Sequence, residues 1–132
     1  MKKTKSIVAI LILLLLPALA LSAKPVQVEV LYMNHGPLQP TLQKLDKLLS
    51  GYGSKISVIR YDFESPEGEQ FMTRKGIKEH MPLAIWIDGR NTVPIDTRKI
   101  TFAGFPTGSG PAFFQGKWTL DDLKKCLDHA IR

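Results

Sequence analysis

Two short stretches and one late position hold the side chains capable of ligation, acid-base or thiol chemistry. Asn34-His35-Gly36-Pro37-Leu38 lies between an extended-looking run and a helical-looking run, so a Gly-Pro turn presents an imidazole at a strand-to-helix junction. His80-Met81-Pro82 adds a second imidazole, a thioether and a proline just before another apolar run. Imidazole with thioether suits a soft cation such as Cu(I), which makes His35, His80 and Met81 the candidate ligands, with Met33 close by in sequence. No two of them stand at a spacing diagnostic of a metal site, and no cofactor is expected. The late position is Cys126, the single cysteine. A lone thiol cannot form an internal disulfide, so the fold must rest on its core. Cys126 is three residues from Leu123 and one from Leu127 on a helical pattern, which reads as a partly buried structural thiol; nucleophilic chemistry would need it exposed with a lowered pKa.

The scaffold around these groups can be read from the hydropathy pattern. Val26-Gln27-Val28-Glu29-Val30-Leu31-Tyr32 alternates and then becomes continuously apolar, which predicts a buried strand ending beside Asn34. Leu38, Leu42, Leu45 and Leu49 recur at helical spacing, and Gly51 supplies a stop. Lys55 to Asp62 predicts a second strand, and the helix between the two makes a βαβ unit with a parallel pair. Ser65-Pro66-Glu67 combines an N-cap, a first-turn proline and an acid at the positive end of the dipole, predicting a helix to about Lys75 that stops at Gly76.

Leu83 to Gly89 predicts a third strand closing in an Asp-Gly turn, and Arg98 to Phe105 a fourth, antiparallel to the third. Pro94 makes the stretch between them loop or sheet edge. Residues 106–117 form a turn-rich loop whose glycines lack phosphate-loop spacing. Its Phe113 and Phe114, with Trp118 behind them, predict either a packed lid or an exposed recognition patch, whereas Tyr32, Trp86, Phe102 and Phe105 read as core. Thr119-Leu120-Asp121-Asp122 opens a closing amphipathic helix. The predicted order is βαβαββα.

Ahead of this domain, Lys2, Lys3 and Lys5 precede the apolar run Ile7 to Leu16, followed by Pro17 and small residues up to Ala23. That is the pattern of a signal peptide over residues 1–23, cleaved after Ala23 or after Ala20, and it implies a periplasmic or secreted domain over residues 24–132. The apolar run is short for a membrane span, so no membrane association is expected after cleavage. Taking the three leader lysines from the 18 basic residues leaves 15 against 12 acidic ones, a surplus too small to suggest nucleic acid or an anionic surface as partner.

Two local stretches in this element order resemble the thioredoxin family. In that family Trp-Cys-Gly-Pro-Cys occupies the strand-to-helix junction, and here His35 and Leu38 stand at the two cysteine positions. The run from Lys75-Gly76-Ile77 through Met81-Pro82-Leu83 to Gly89 is similar to the family's Tyr-Gly-Ile-x-x-x-Pro-Thr segment. The resemblance implies a thioredoxin-like α/β fold with a central four-stranded mixed sheet flanked by helices, and a cis Met81–Pro82 bond beside His35. It also implies a groove formed by Asn34, His35, Gly36, Pro37, Met81 and Pro82, where the backbone before the proline pairs with an extended polypeptide. Glu29, six residues before His35, falls at the offset of the family's buried acid. Dithiol exchange needs a thiolate and a resolving thiol, and neither is present at the junction. The expectation is therefore an exported, redox-inactive domain that binds an exported protein or an extended peptide. A His/Met copper-binding protein and a thiol oxidoreductase acting through Cys126 are the alternatives.

Overall fold

The computed structural model describes residues 22–132. The predicted leader lies outside the described residues except for Ser22 and Ala23, which are exposed and without regular structure. No helix among the described residues is long and apolar enough to cross a membrane.

The sheet is built outward from β1 (Val26–Tyr32), whose alternation sends Val26, Val28 and Val30 into one core cluster and Leu31 into another. β2 (Ile56–Asp62) runs parallel to it with Val58 opposite Val28, after a crossover through α1 (Gln39–Ser50). β3 (Leu83–Ile87) runs antiparallel on the other side with Ile85 opposite Val30, after α2 (Pro66–Lys75). The outcome is a mixed α/β domain around a three-stranded mixed sheet of order β2-β1-β3.

Helices cover both faces. The larger cluster joins Val28, Val30, Leu83 and Ile85 to Leu45 and Leu49 of α1 and to Leu123, Cys126 and Leu127 of α3 (Leu120–Ala130). The smaller one joins Leu31, Ala84 and Trp86 to Phe71 of α2. Local signals set the helix ends: the Ser65 hydroxyl accepts from the Gly68 N–H at 3.0 Å, and Thr119 and Asp122 form a reciprocal capping box. Tyr52, just past α1, donates to the Asp128 carboxylate at 2.7 Å and so ties α1 to α3.

The predicted fourth strand divides in two. β4 (Thr92–Ile95) and β5 (Arg98–Thr101) pair with each other as a separate antiparallel sheet, with Pro94 on a strand that pairs on one side only. The chain then leaves this hairpin and crosses to β3, where Ala103 bridges Ala84 and the Ile85 N–H donates to the Phe102 carbonyl at 3.0 Å. The Asn91 amide fixes the crossing by donating at 2.8 Å to the carbonyls of both Ile85 and Phe102. One run of sequence thus serves two partners, so the central sheet has three full strands and a bridged edge rather than four.

A second correction concerns Pro82. Every peptide bond among the described residues is trans, Met81–Pro82 included, so the cis proline implied by the family resemblance is not present. The Pro82 carbonyl accepts from the Met33 N–H at 3.0 Å, directly beyond the Tyr32–Leu83 pair. That bond carries the pairing of β1 with β3 one step beyond the strand.

Candidate functional site

The carboxyl end of β1 opens into a groove of about 480 Å³. Met33 and His35 come from just past the end of that strand, and Pro37 and Leu38 from the 3-10 turn Gly36–Leu38 that leads into α1. Phe63 and Glu64 enter from the end of β2, His80 and Pro82 from the approach to β3, and Phe105, Pro111 and Phe114 from the segment that follows β5. Most of these side chains are apolar. Buried Leu38, Pro82 and Phe105 form its base, and half-exposed Phe114 stands at its mouth.

The loop wall is held by its own hydrogen bonds. The Phe105 N–H donates to the Phe114 carbonyl and the Gly116 N–H returns to the Phe105 carbonyl, both at 2.7 Å. Gly104 makes this approach possible: its φ is +79°, and a Cβ there would stand 2.6 Å from the Phe114 carbonyl oxygen. At Gly110 a Cβ would enter the Phe105 ring. Trp118 is buried behind the loop, edge-on to Phe102 at 5.4 Å, with its indole N–H donating to the Gly104 carbonyl at 3.2 Å. The three late aromatics therefore split: Trp118 is core, Phe114 lines the groove, and Phe113 is free in solvent.

Of the residues singled out in the sequence, Met33, His35, Pro37, Leu38, His80, Pro82 and Phe114 line the groove. Asn34 turns away, its carbonyl oxygen accepting from the Gln39 amide at 2.9 Å beside the end of β1, and Gly36 supplies only the turn. Met81 packs against the smaller core cluster instead of entering the groove. Phe63, Glu64, Phe105 and Pro111 belong to the site without having been marked for it. Their signal was the crowd of aromatics and prolines around two strand ends.

The polar groups of the groove are few. His35 Nε2 lies 3.2 Å from Glu64 Oε1 on the exposed rim, and the His80 ring leans on Phe63 with centroids 4.9 Å apart. Met33, His35 and His80 thus share one groove, but among the described residues no three His, Cys, Asp or Glu side chains form a metal-binding group. Glu29 is buried on the opposite face of the sheet, its carboxylate 2.8 Å from the Lys75 ammonium.

Comparison with models of known protein families and with the sequences of characterised proteins gives no match.

Cys126 sits apart from the groove, on α3 beneath β4, and is 3% exposed. Burial, reinforced by the nearby Asp122 carboxylate, pushes its thiol up to about 11 from an ordinary 9.0. The two conditions for a reactive thiol, exposure and a lowered pKa, both fail. At pH 8 only about one molecule in a thousand carries the thiolate. Alkylation or disulfide-exchange reagents should therefore label native Cys126 at least about a hundredfold more slowly than the unfolded chain, as read by mass spectrometry. The folded state holds this proton more tightly than the unfolded one, so the associated stability is complete below pH 9 and declines as pH climbs towards 11. Cys126→Ala should flatten that alkaline decline.

Proposed function

We propose that this chain is an exported, redox-inactive thioredoxin-like domain that works by binding an extended apolar segment of a partner protein. The observation that carries this reading is the groove itself: an apolar cleft at a strand-to-helix junction, walled by a self-bonded aromatic loop, with the single thiol buried elsewhere. Clefts of this kind gain affinity by desolvating apolar side chains, and a few polar rim groups set orientation. Here the rim pair is His35 with Glu64.

The thioredoxin-like assignment draws support from the order β2-β1-β3 followed by the bridged segment at Ala103, with α1 and α3 against one face and α2 against the other. Recognition differs in kind from pairing along a cis-proline backbone. Met81 faces the core and Pro82 is trans, so the partner is held by side-chain burial between Pro37, Phe63 and Phe114. Export rests on the leader pattern of residues 1–23.

Nuclear magnetic resonance with short extended peptides bearing aromatic or branched aliphatic side chains tests the reading. Saturable shifts are expected at Met33, His35, Phe63 and Phe105, with affinity falling at least about tenfold in Phe114→Asp, which places a charge at the mouth. Peptides that leave those signals unmoved, or that shift Met81 and Trp86 instead, would refute it.

A further inference from the structure

Among the described residues, the exposed large apolar side chains are Ile59, Phe113 and Phe114, and two of these are neighbours on one loop. Phe113 is 99% exposed, so its entire ring stands in water. A slack loop could turn such a ring inward, but this loop is fastened along its length. The Thr107 N–H donates to the Trp118 carbonyl at 2.7 Å, the Gln115 amide bonds Gly108 and Gly110, and the Phe114 N–H closes a turn onto Pro111. The ring is presented outward by rigid backbone, one residue from the aromatic wall of an apolar groove.

We infer that two copies of the chain associate about a two-fold axis beside this loop, each placing its Phe113 ring in the other's groove. The inference rests on that groove being a docking cleft, as proposed above. Knob and hole lie side by side on one surface, because Pro111 and Phe114 of the groove wall belong to the loop that carries Phe113. A two-fold axis through such a surface makes both contacts at once. Charge does not oppose the approach: from Ile100 through Gly116 the chain has no ionisable side chain, and the carboxylate on the groove rim, Glu64, already faces His35 at 3.2 Å.

The area available sets the strength. Two Phe113 rings at roughly 200 Å² each, the open parts of two Phe114 rings and the groove surfaces they cover come to roughly 1,000 Å², the low end of specific interfaces. The dimer is therefore weak and reversible, and it occupies the cleft that the partner segment needs. Self-association and partner binding compete, so a free pool of the protein is partly self-protected.

Sedimentation velocity on the purified protein, from low micromolar to near millimolar concentration, should show a monomer passing reversibly to a dimer. Phe113→Ser should stay monomeric throughout while keeping its melting temperature, since Phe113 touches nothing within its own chain. A photoreactive phenylalanine analogue at Phe113, in a mixture of isotopically light and heavy copies, should crosslink to Pro37, Phe63 or Pro82 of the opposite label. A monomer at every concentration, a dimer that survives Phe113→Ser, or crosslinks confined to one copy would each overturn the inference. Phe113→Ser should still shift with the apolar peptides. If it does while the wild type stays monomeric, the dimer fails and the binding groove stands; a Phe113-dependent dimer blind to every peptide means the reverse.

Discussion

Trp118→Ala is expected to lower unfolding stability by about 4 kcal/mol and to release the wall of the groove with it. The indole is almost wholly buried, packs edge-on against Phe102, and binds the Gly104 carbonyl through its ring N–H. Truncation leaves a cavity at the point where the chain crosses from β5 to β3, and it strips the support on which the positive-φ turn at Gly104 rests. Trp118→Phe separates the two contributions: it keeps most of the packing and loses the hydrogen bond, so it should cost about 1–2 kcal/mol. Urea denaturation measures both. A loss below about 1 kcal/mol for Trp118→Ala would mean that the loop closes without its indole anchor.

Glu29→Gln is expected to cost about 2 kcal/mol. The Lys75 ammonium sits between the Glu29 carboxylate at 2.8 Å and two aromatic faces, with Phe71 and Trp86 centroids 5.2 and 5.5 Å away. Taking away the carboxylate leaves the cation over the rings with its strongest counter-charge gone. Removing one member of a fully buried pair costs about 3–5 kcal/mol, and the value here is reduced because the lysine side chain is still 22% exposed. Lys75→Met puts a flexible thioether against the same rings but leaves the Glu29 carboxylate, the more buried partner at 11% exposed, without its cation, so it should lose at least as much as Glu29→Gln. The double variant should then recover part of the Glu29→Gln loss, giving a coupling of at least about 1 kcal/mol in a thermodynamic cycle. Strict additivity would show that the two residues act separately.

Much of the scaffold was legible because local chemistry and tertiary demand agree there. β1 spans the very residues whose alternation marks them, and α2 begins at its Ser-Pro cap and ends before Gly76. The site was harder to read, for reasons that lie in particular residues. β3 is buried at every position, so its sequence carries no alternation from which the side of the preceding Met81 could be judged. The cis bond came with the family resemblance, and no residue around Pro82 encodes it; the bond is trans. Arg98 to Phe105 reads as one strand because no turn residue breaks it before Gly104, while the switch of partner at Phe102 depends on the side chain of Asn91, eleven residues earlier. Glycine-rich loops have no periodicity at all. Which of Phe113, Phe114 and Trp118 would turn inward was set by the pairing of Phe105 with Phe114, a contact between residues on either side of the loop.

The direction of β1 also fixes which way the protein faces. Its seven residues carry the chain from an exposed start at Lys24 and Pro25 to the groove at Met33, a run of roughly 20 Å. The start of β1 and the cleft therefore lie at opposite poles of the sheet. A tether, tag or solid support attached just ahead of Val26 leaves the cleft pointing outward, so immobilisation from that end should leave peptide binding at the cleft as it is in the free protein.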